Sequence, residues 1–132
     1  MSERHRIDHE ARPYDPADLP RKATVDAEAF SALDLRVGRV VDAAPFPEAR
    51  APSVKLWVDF GPVLGTLATS AKITEYPVDA LVGRTVVGAV NLGTRRIAGF
   101  ASQFLVLGGL APDGTVSLLD VDGDLAPGSV VA

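Results

Sequence analysis

The residues best able to do chemistry gather in one stretch, Val90 to Leu107, which reads Val-Asn-Leu-Gly-Thr-Arg-Arg-Ile-Ala-Gly-Phe-Ala-Ser-Gln-Phe-Leu-Val-Leu. Asn91 offers a donor and an acceptor at a strand end. Arg95 and Arg96 are adjacent, so in extended backbone they point to opposite sides, and one meets a phosphate or base while the other faces elsewhere. Gly99 lets the chain turn or lets a partner approach closely. Ser102 and Phe104 read as lying on the face of Phe100, with Ser102 placed to hydrogen-bond a ligand. The same residues also read as a hairpin with solvated arginines and a core phenylalanine, and chemistry alone leaves the two readings level.

Catalytic apparatus is not visible elsewhere. The histidines are His5 and His9, both in a polar leader. Their spacing resembles that of helical metal ligands, but Pro-rich surroundings and missing further ligands make a solvated tail the better reading. Asp120, Asp122 and Asp124 alternate around Gly123, yet no Glu closes a calcium-like set at the required spacing, so a solvated turn is expected. There is no Cys, which excludes thiolate chemistry and Cys-built zinc sites. Lys72 follows Ser70-Ala71 rather than a Gly-rich cradle, and Gly108-Gly109 reads as a glycine pair at a strand end. The expectation is a binding protein, not an enzyme, with no cofactor and no metal.

Charge narrows the binding classes. Across 132 residues the formal net charge is −4, which argues against a generic charge-driven nucleic-acid binder. The distribution matters more. No Asp or Glu occurs between Asp79 and Asp113, a stretch that holds Arg84, Arg95 and Arg96. A local basic patch therefore coexists with an acidic whole. No secretory apolar region opens the chain and no apolar run approaches membrane-spanning length. The expectation is a soluble cytoplasmic protein without membrane insertion.

The elements that position these residues are short. Residues 1–23 are polar, contain Pro13, Pro16 and Pro20, and read as an N-terminal arm; residues 24–132 read as one domain. A short helix is expected over 24–33, with Thr24 or Asp26 as cap and Glu28 in the first turn. Strands are expected at 35–44, with Gly38 allowing a bend or bulge, and at 54–60, 63–70, 85–90 and 100–107, with a sixth short element at 115–119. The run at 54–60 is the clearest: Val54, Leu56, Val58 and Phe60 share one face, and Lys55, Trp57 and Asp59 the other. A helical interruption after the third strand fits the order of a small closed barrel. The fold class is thus all-β, a five-stranded OB-fold barrel with short flanking helices and an extended arm. A β-sandwich is the alternative, but it usually needs more strands.

Trp57 lies opposite the core face of its strand, so something should cover it. A dimer interface, a peptide groove, or second-layer packing beneath a helix all fit. For a groove that holds extended polypeptide, the candidate lining residues are Phe46, Trp57 and Phe104.

The order Val-Asn, Arg-Arg-Ile-Ala-Gly-Phe, Ser and Leu-Val-Leu resembles the tRNA-binding domains found in CsaA secretion chaperones, in free-standing tRNA-binding proteins and in some methionyl- and phenylalanyl-tRNA synthetases. Asp34 to Gly38 resembles the family's first-strand entry. Phe46 to Arg50, Lys55-Leu56, Asp59 to Gly61 and Thr69 to Ile73 resemble the CsaA type in particular. The resemblance covers Phe30 to Ala132. It implies an OB-fold, a homodimer, tRNA binding and, for CsaA, the holding of unfolded precursor polypeptides for export. Carried onto this chain, the RNA-facing residues are Asn91, Arg95, Arg96 and Ser102, with Ser70 and Lys72 as neighbours; Arg36 and Arg50 serve equally well in strand or dimer contacts. The leader is longer than in the CsaA type, and Trp57 stands where the family usually has an aliphatic residue. The expected function is a CsaA-like chaperone module that also binds tRNA; the alternative is a stand-alone tRNA-binding protein with no chaperone role. Whether a secretion motor ATPase is a further partner is left open by the residues.

Overall fold

Strand β1 spans Leu35–Pro45 and β2 spans Val54–Asp59. In β2 burial alternates residue by residue: Val54, Leu56 and Val58 point inward, and Lys55, Trp57 and Asp59 point outward. A one-residue slip would carry three core side chains into water, so the inward set fixes the register. Phe60 extends that set, and it packs with Val40, Ile73, Leu81, Val86 and Phe104 into one core. The structure, a computed structural model, describes residues 14–132. His5, His9 and the first part of the expected arm lie outside the described residues.

The remaining strands are β3 (Thr66–Ala71), β4 (Thr85–Ala89), β5 (Arg95–Ile97), β6 (Phe100–Ser102), β7 (Leu105–Val106), β8 (Gly108–Leu110) and β9 (Val116–Leu118). Helices are single turns: α1 (Ala27–Ser31), α2 (Gly61–Leu64) and α3 (Val78–Leu81). Five strands form an antiparallel sheet in the order β3-β2-β1-β4-β7. Gln103, between β6 and β7, closes it. Its N–H donates to the Ala68 carbonyl at 2.7 Å, and its side-chain Oε1 accepts the Ala68 N–H at 2.9 Å. The result is the nearly closed five-stranded barrel expected of an OB-fold.

Several local expectations are corrected. Gly38 makes no bulge; the register shift falls between Val40 and Asp42. Gly38 serves packing instead, because a Cβ there would lie 2.5 Å from Val58 Cγ1. The third strand begins at Thr66, not 63, since Pro62 suits the first turn of α2 and the Gly65 N–H closes that turn on the Gly61 carbonyl at 2.8 Å. The expected strand at 100–107 is broken in two at Gln103-Phe104. Gly108-Gly109 does not end a strand but belongs to β8, paired with β9. Helix α1 is shorter than residues 24–33, and Asp26 occupies its N-cap position without a side-chain capping bond. The exit after Pro127 turns back to pair with the first half of β1: the Gly128 N–H reaches the Val37 carbonyl at 2.7 Å, and the Val131 N–H reaches the Leu35 carbonyl at 2.8 Å.

Phe104 is also corrected. It is 4% exposed and meets Phe60 edge to face at 4.8 Å between centroids. The pair sits against Gly88, where a Cβ would lie 2.8 Å from Phe104 Cδ2 and 2.9 Å from Phe60 Cζ. The break at Gln103 turns Phe104 into the barrel, so it lines no groove.

Candidate nucleic-acid interface

The outward side chains of β2 meet those of β3 across the ladder: Lys55 stands opposite Ser70, and Trp57 opposite Ala68. Above them lies a small second layer of aromatic rings. Phe100 meets Phe46 edge to face at 5.4 Å and Trp57 edge to face at 6.0 Å. The Lys55 ammonium sits 4.7 Å from the Phe46 centroid and 4.9 Å from that of Phe100. Both rings present their electron-rich faces to one cation, an attraction of about 0.5–1 kcal/mol per ring where exposed and more where water is excluded. Phe46 is 2% exposed, so it is a buried anchor of this layer and is removed from the candidate groove. Trp57 is half-buried, covered on one side by Phe100.

The same layer anchors an arm. β5 and β6 pair through Arg95–Ser102, Arg96–Ala101 and Ile97–Phe100, joined by Ala98-Gly99. Both turn residues have positive φ, 48° and 82°, which is the two-residue turn whose twist matches a hairpin. Arg95, opposite Ser102, therefore shares a face with Phe100, and Arg96 takes the other. Both arginines are exposed. Arg96 Nη1 donates to the Gly99 carbonyl at 3.1 Å, steadying the turn. Among the described residues no carboxylate forms an ion pair with Arg95, Arg96, Arg50, Lys55 or Lys72; the pair that does form is Arg36–Asp34.

The predicted residues separate into two groups. Arg95 and Arg96 occupy the arm, and Ser70 stands opposite Lys55 on the barrel wall. Lys72 follows directly after β3, and Arg50 lies exposed in the loop between β1 and β2. Asn91 and Arg36 are engaged internally. Asn91 Oδ1 accepts the Asp34 N–H at 2.8 Å, and its Nδ2 donates to the Ala32 carbonyl at 2.8 Å. This amide clamps the segment after α1 to the end of β4. Arg36 binds the Asp34 carboxylate through Nε and Nη2 and the Gly128 carbonyl through Nη1, and so holds the returning tail.

Ser102 is defined by its neighbour. Thr69 Oγ1 donates its one proton to the Phe104 carbonyl at 2.7 Å and lies 3.1 Å from Ser102 Oγ. Ser102 must then donate to Thr69, leaving its lone pairs as its free capacity. It can accept from a base N–H or a ribose hydroxyl, but it has no proton for a phosphate.

Lys55 and Phe100 belong to this aromatic layer and were not singled out as site candidates from the sequence. The signal for Lys55 was present: the alternation of β2 already placed it beside Trp57. The contact with Phe100 depends on how the hairpin folds back, which no local pattern states. Among the described residues, no three His, Cys, Asp or Glu side chains group to hold a metal ion, and no helix is long and apolar enough to cross a membrane.

This arrangement has known counterparts. The family model described as a tRNA binding domain matches residues 35–130. The methionine–tRNA ligase of Protochlamydia amoebophila is 34% identical over 111 residues, covering 84% of this chain but 15% of the ligase. The chain therefore spans about 15% of that relative's length. Among solved structures, the chaperone CsaA from Bacillus anthracis is 42% identical with a TM-score of 0.79, covering 83% of this chain and all of that one. The CsaA chaperone protein from Picrophilus torridus is 38% identical with a TM-score of 0.78, over 83% of this chain. An OB-fold barrel with a basic hairpin beside its β2–β3 face, matched from Leu35 to Val130, makes this chain a member of the tRNA binding domain family.

Proposed function

We propose that the protein binds tRNA on the outer β2–β3 face and the adjoining β5–β6 hairpin. The carrying observation is that Arg95 and Arg96 project, without a carboxylate partner among the described residues, from an arm anchored to the barrel through Phe100. In OB-folds the β2–β3 face and the flanking loops are where oligonucleotides bind. Unpaired guanidinium groups supply bidentate phosphate contacts, and the acid-free stretch from 80 to 112 keeps local repulsion low despite the net charge of −4. Arg50, Lys72 and Ser70 extend the surface, Ser102 accepts from a base or ribose, and Asn91 acts by holding the segment after α1 in place.

Similarity to CsaA over the whole of that chain supports a second activity, the holding of unfolded precursor polypeptides in the cytoplasm by a homodimer. The exposed apolar side chains Phe30, Leu33 and Val130, at 50%, 42% and 71%, are the surface a second copy would cover. In this reading residues 24–132 are the binding module, preceded by the N-terminal arm of residues 1–23.

Filter binding of the purified protein to bulk tRNA tests the first activity. Affinity that falls as salt rises supports it; absence of retention at low salt overturns it. Suppression of aggregation of an unfolded test protein, with and without tRNA, tests the second. Competition between the two would place both clients on overlapping surfaces.

A further inference from the structure

We infer that Trp57 is a stacking platform for one unpaired RNA base. This inference rests on the RNA-binding reading and specifies which form of RNA the face takes. Trp57 lies on the outward face of β2, opposite the small side chain of Ala68. Among the described residues its Nε1–H has no hydrogen-bond partner, and the side chain is half-buried. An indole with one side braced by Phe100 and part of its surface accessible has the geometry of a base-stacking residue, because every base offers a π-face.

Charge on this face fixes where the backbone of such a strand would run. On one side stand Lys55 and, across the hairpin, Arg95. On the other, Asp42 pairs with Trp57 across the β1–β2 ladder, and Asp59 shares the outward face of β2. Phosphates are favoured over Lys55 and Arg95 and repelled near Asp42 and Asp59. A strand tracking the basic side can turn a single base inward over Trp57. A duplex cannot, since its bases are already stacked and paired. An extended apolar peptide is the weaker fit. Phe46 and Phe104, the other aromatic candidates for a groove, are 2% and 4% exposed.

Trp57 is the protein's single tryptophan, so its fluorescence reports on this site alone. The full chain is titrated with a single-stranded oligoribonucleotide and with a duplex of the same sequence. The expected result is strong quenching by the single strand, reversed by salt, and little by the duplex. Trp57→Leu, which keeps an apolar side chain without a ring, should weaken single-strand binding about tenfold, measured by anisotropy of labelled RNA. Trp57→Tyr should keep binding within about threefold, because a ring remains to stack on. Single-strand binding without quenching, or unchanged affinity in Trp57→Leu, overturns the stacking role; the RNA-binding reading would stand if Arg95→Ala/Arg96→Ala still weakened binding. Quenching by unfolded polypeptide but not by RNA overturns it in favour of a peptide site. Failure of both RNA forms to bind removes the stacking role together with the reading on which it rests.

Discussion

Gln103 takes the place of a strand residue at the barrel seam: its backbone N–H donates to Ala68, and its side-chain oxygen accepts the Ala68 N–H in return. One residue thereby satisfies both backbone groups of Ala68 where β6 and β7 break. Gln103→Met keeps the length and removes the acceptor, leaving a part-buried N–H unpaired. The expected cost is about 1–3 kcal/mol, read from urea unfolding, with faster hydrogen exchange at the Ala68 amide. Unchanged exchange there would show that the seam closes without the side chain.

Asn91 joins two backbone groups across a separation of more than fifty residues. Asn91→Ala should cost about 1 kcal/mol, raise proteolytic sensitivity over residues 27–34, and leave tRNA affinity within about twofold. A large loss of affinity with an intact fold would return Asn91 to the RNA-facing set.

Phe104 and Gly88 form a contact pair in the core. Phe104→Ala should destabilise by about 3–5 kcal/mol through the cavity it leaves. Gly88→Ala should cost about 1–3 kcal/mol by overpacking against the two rings. The double variant should cost less than the sum, because the smaller residue at 104 makes room for the new methyl group. Thermal or denaturant unfolding of the three variants measures this, and strict additivity would contradict the packing described.

Ala98 holds a positive φ of 48° in the hairpin turn, a conformation that costs an alanine about 1 kcal/mol. Ala98→Asn supplies the residue favoured before glycine in such turns. It should raise stability by up to about 1 kcal/mol without changing RNA affinity, measured by unfolding and filter binding together.

What was legible in the sequence follows from side-chain size and polarity. The alternation of β2 could be read because one face is entirely apolar, and the barrel order followed from strands of that kind. The β5–β6 hairpin was only half legible, since its turn is Ala-Gly rather than Asn-Gly. β8 was missed because glycine looks like an ending; yet a Cβ at Gly108 would lie 2.5 Å from Val116 Cγ1, so the pairing with β9 needs it. Asn91 and Phe104 were misplaced because their partners, Asp34 and Phe60, are distant in sequence. Arg95 and Arg96 could be read as an exposed basic pair because two adjacent guanidinium groups in an acid-free stretch are visible in one dimension.

The central claim is that these two arginines contact RNA phosphates. Its most direct test is the salt dependence of tRNA affinity for the unmodified protein and for Arg95→Ala/Arg96→Ala. Each lost phosphate contact should lower the slope of log affinity against log salt by about 0.7–0.9. The account predicts weaker binding at low salt and a slope reduced by roughly 1.5. Equal affinity and an equal slope in the double variant would contradict it.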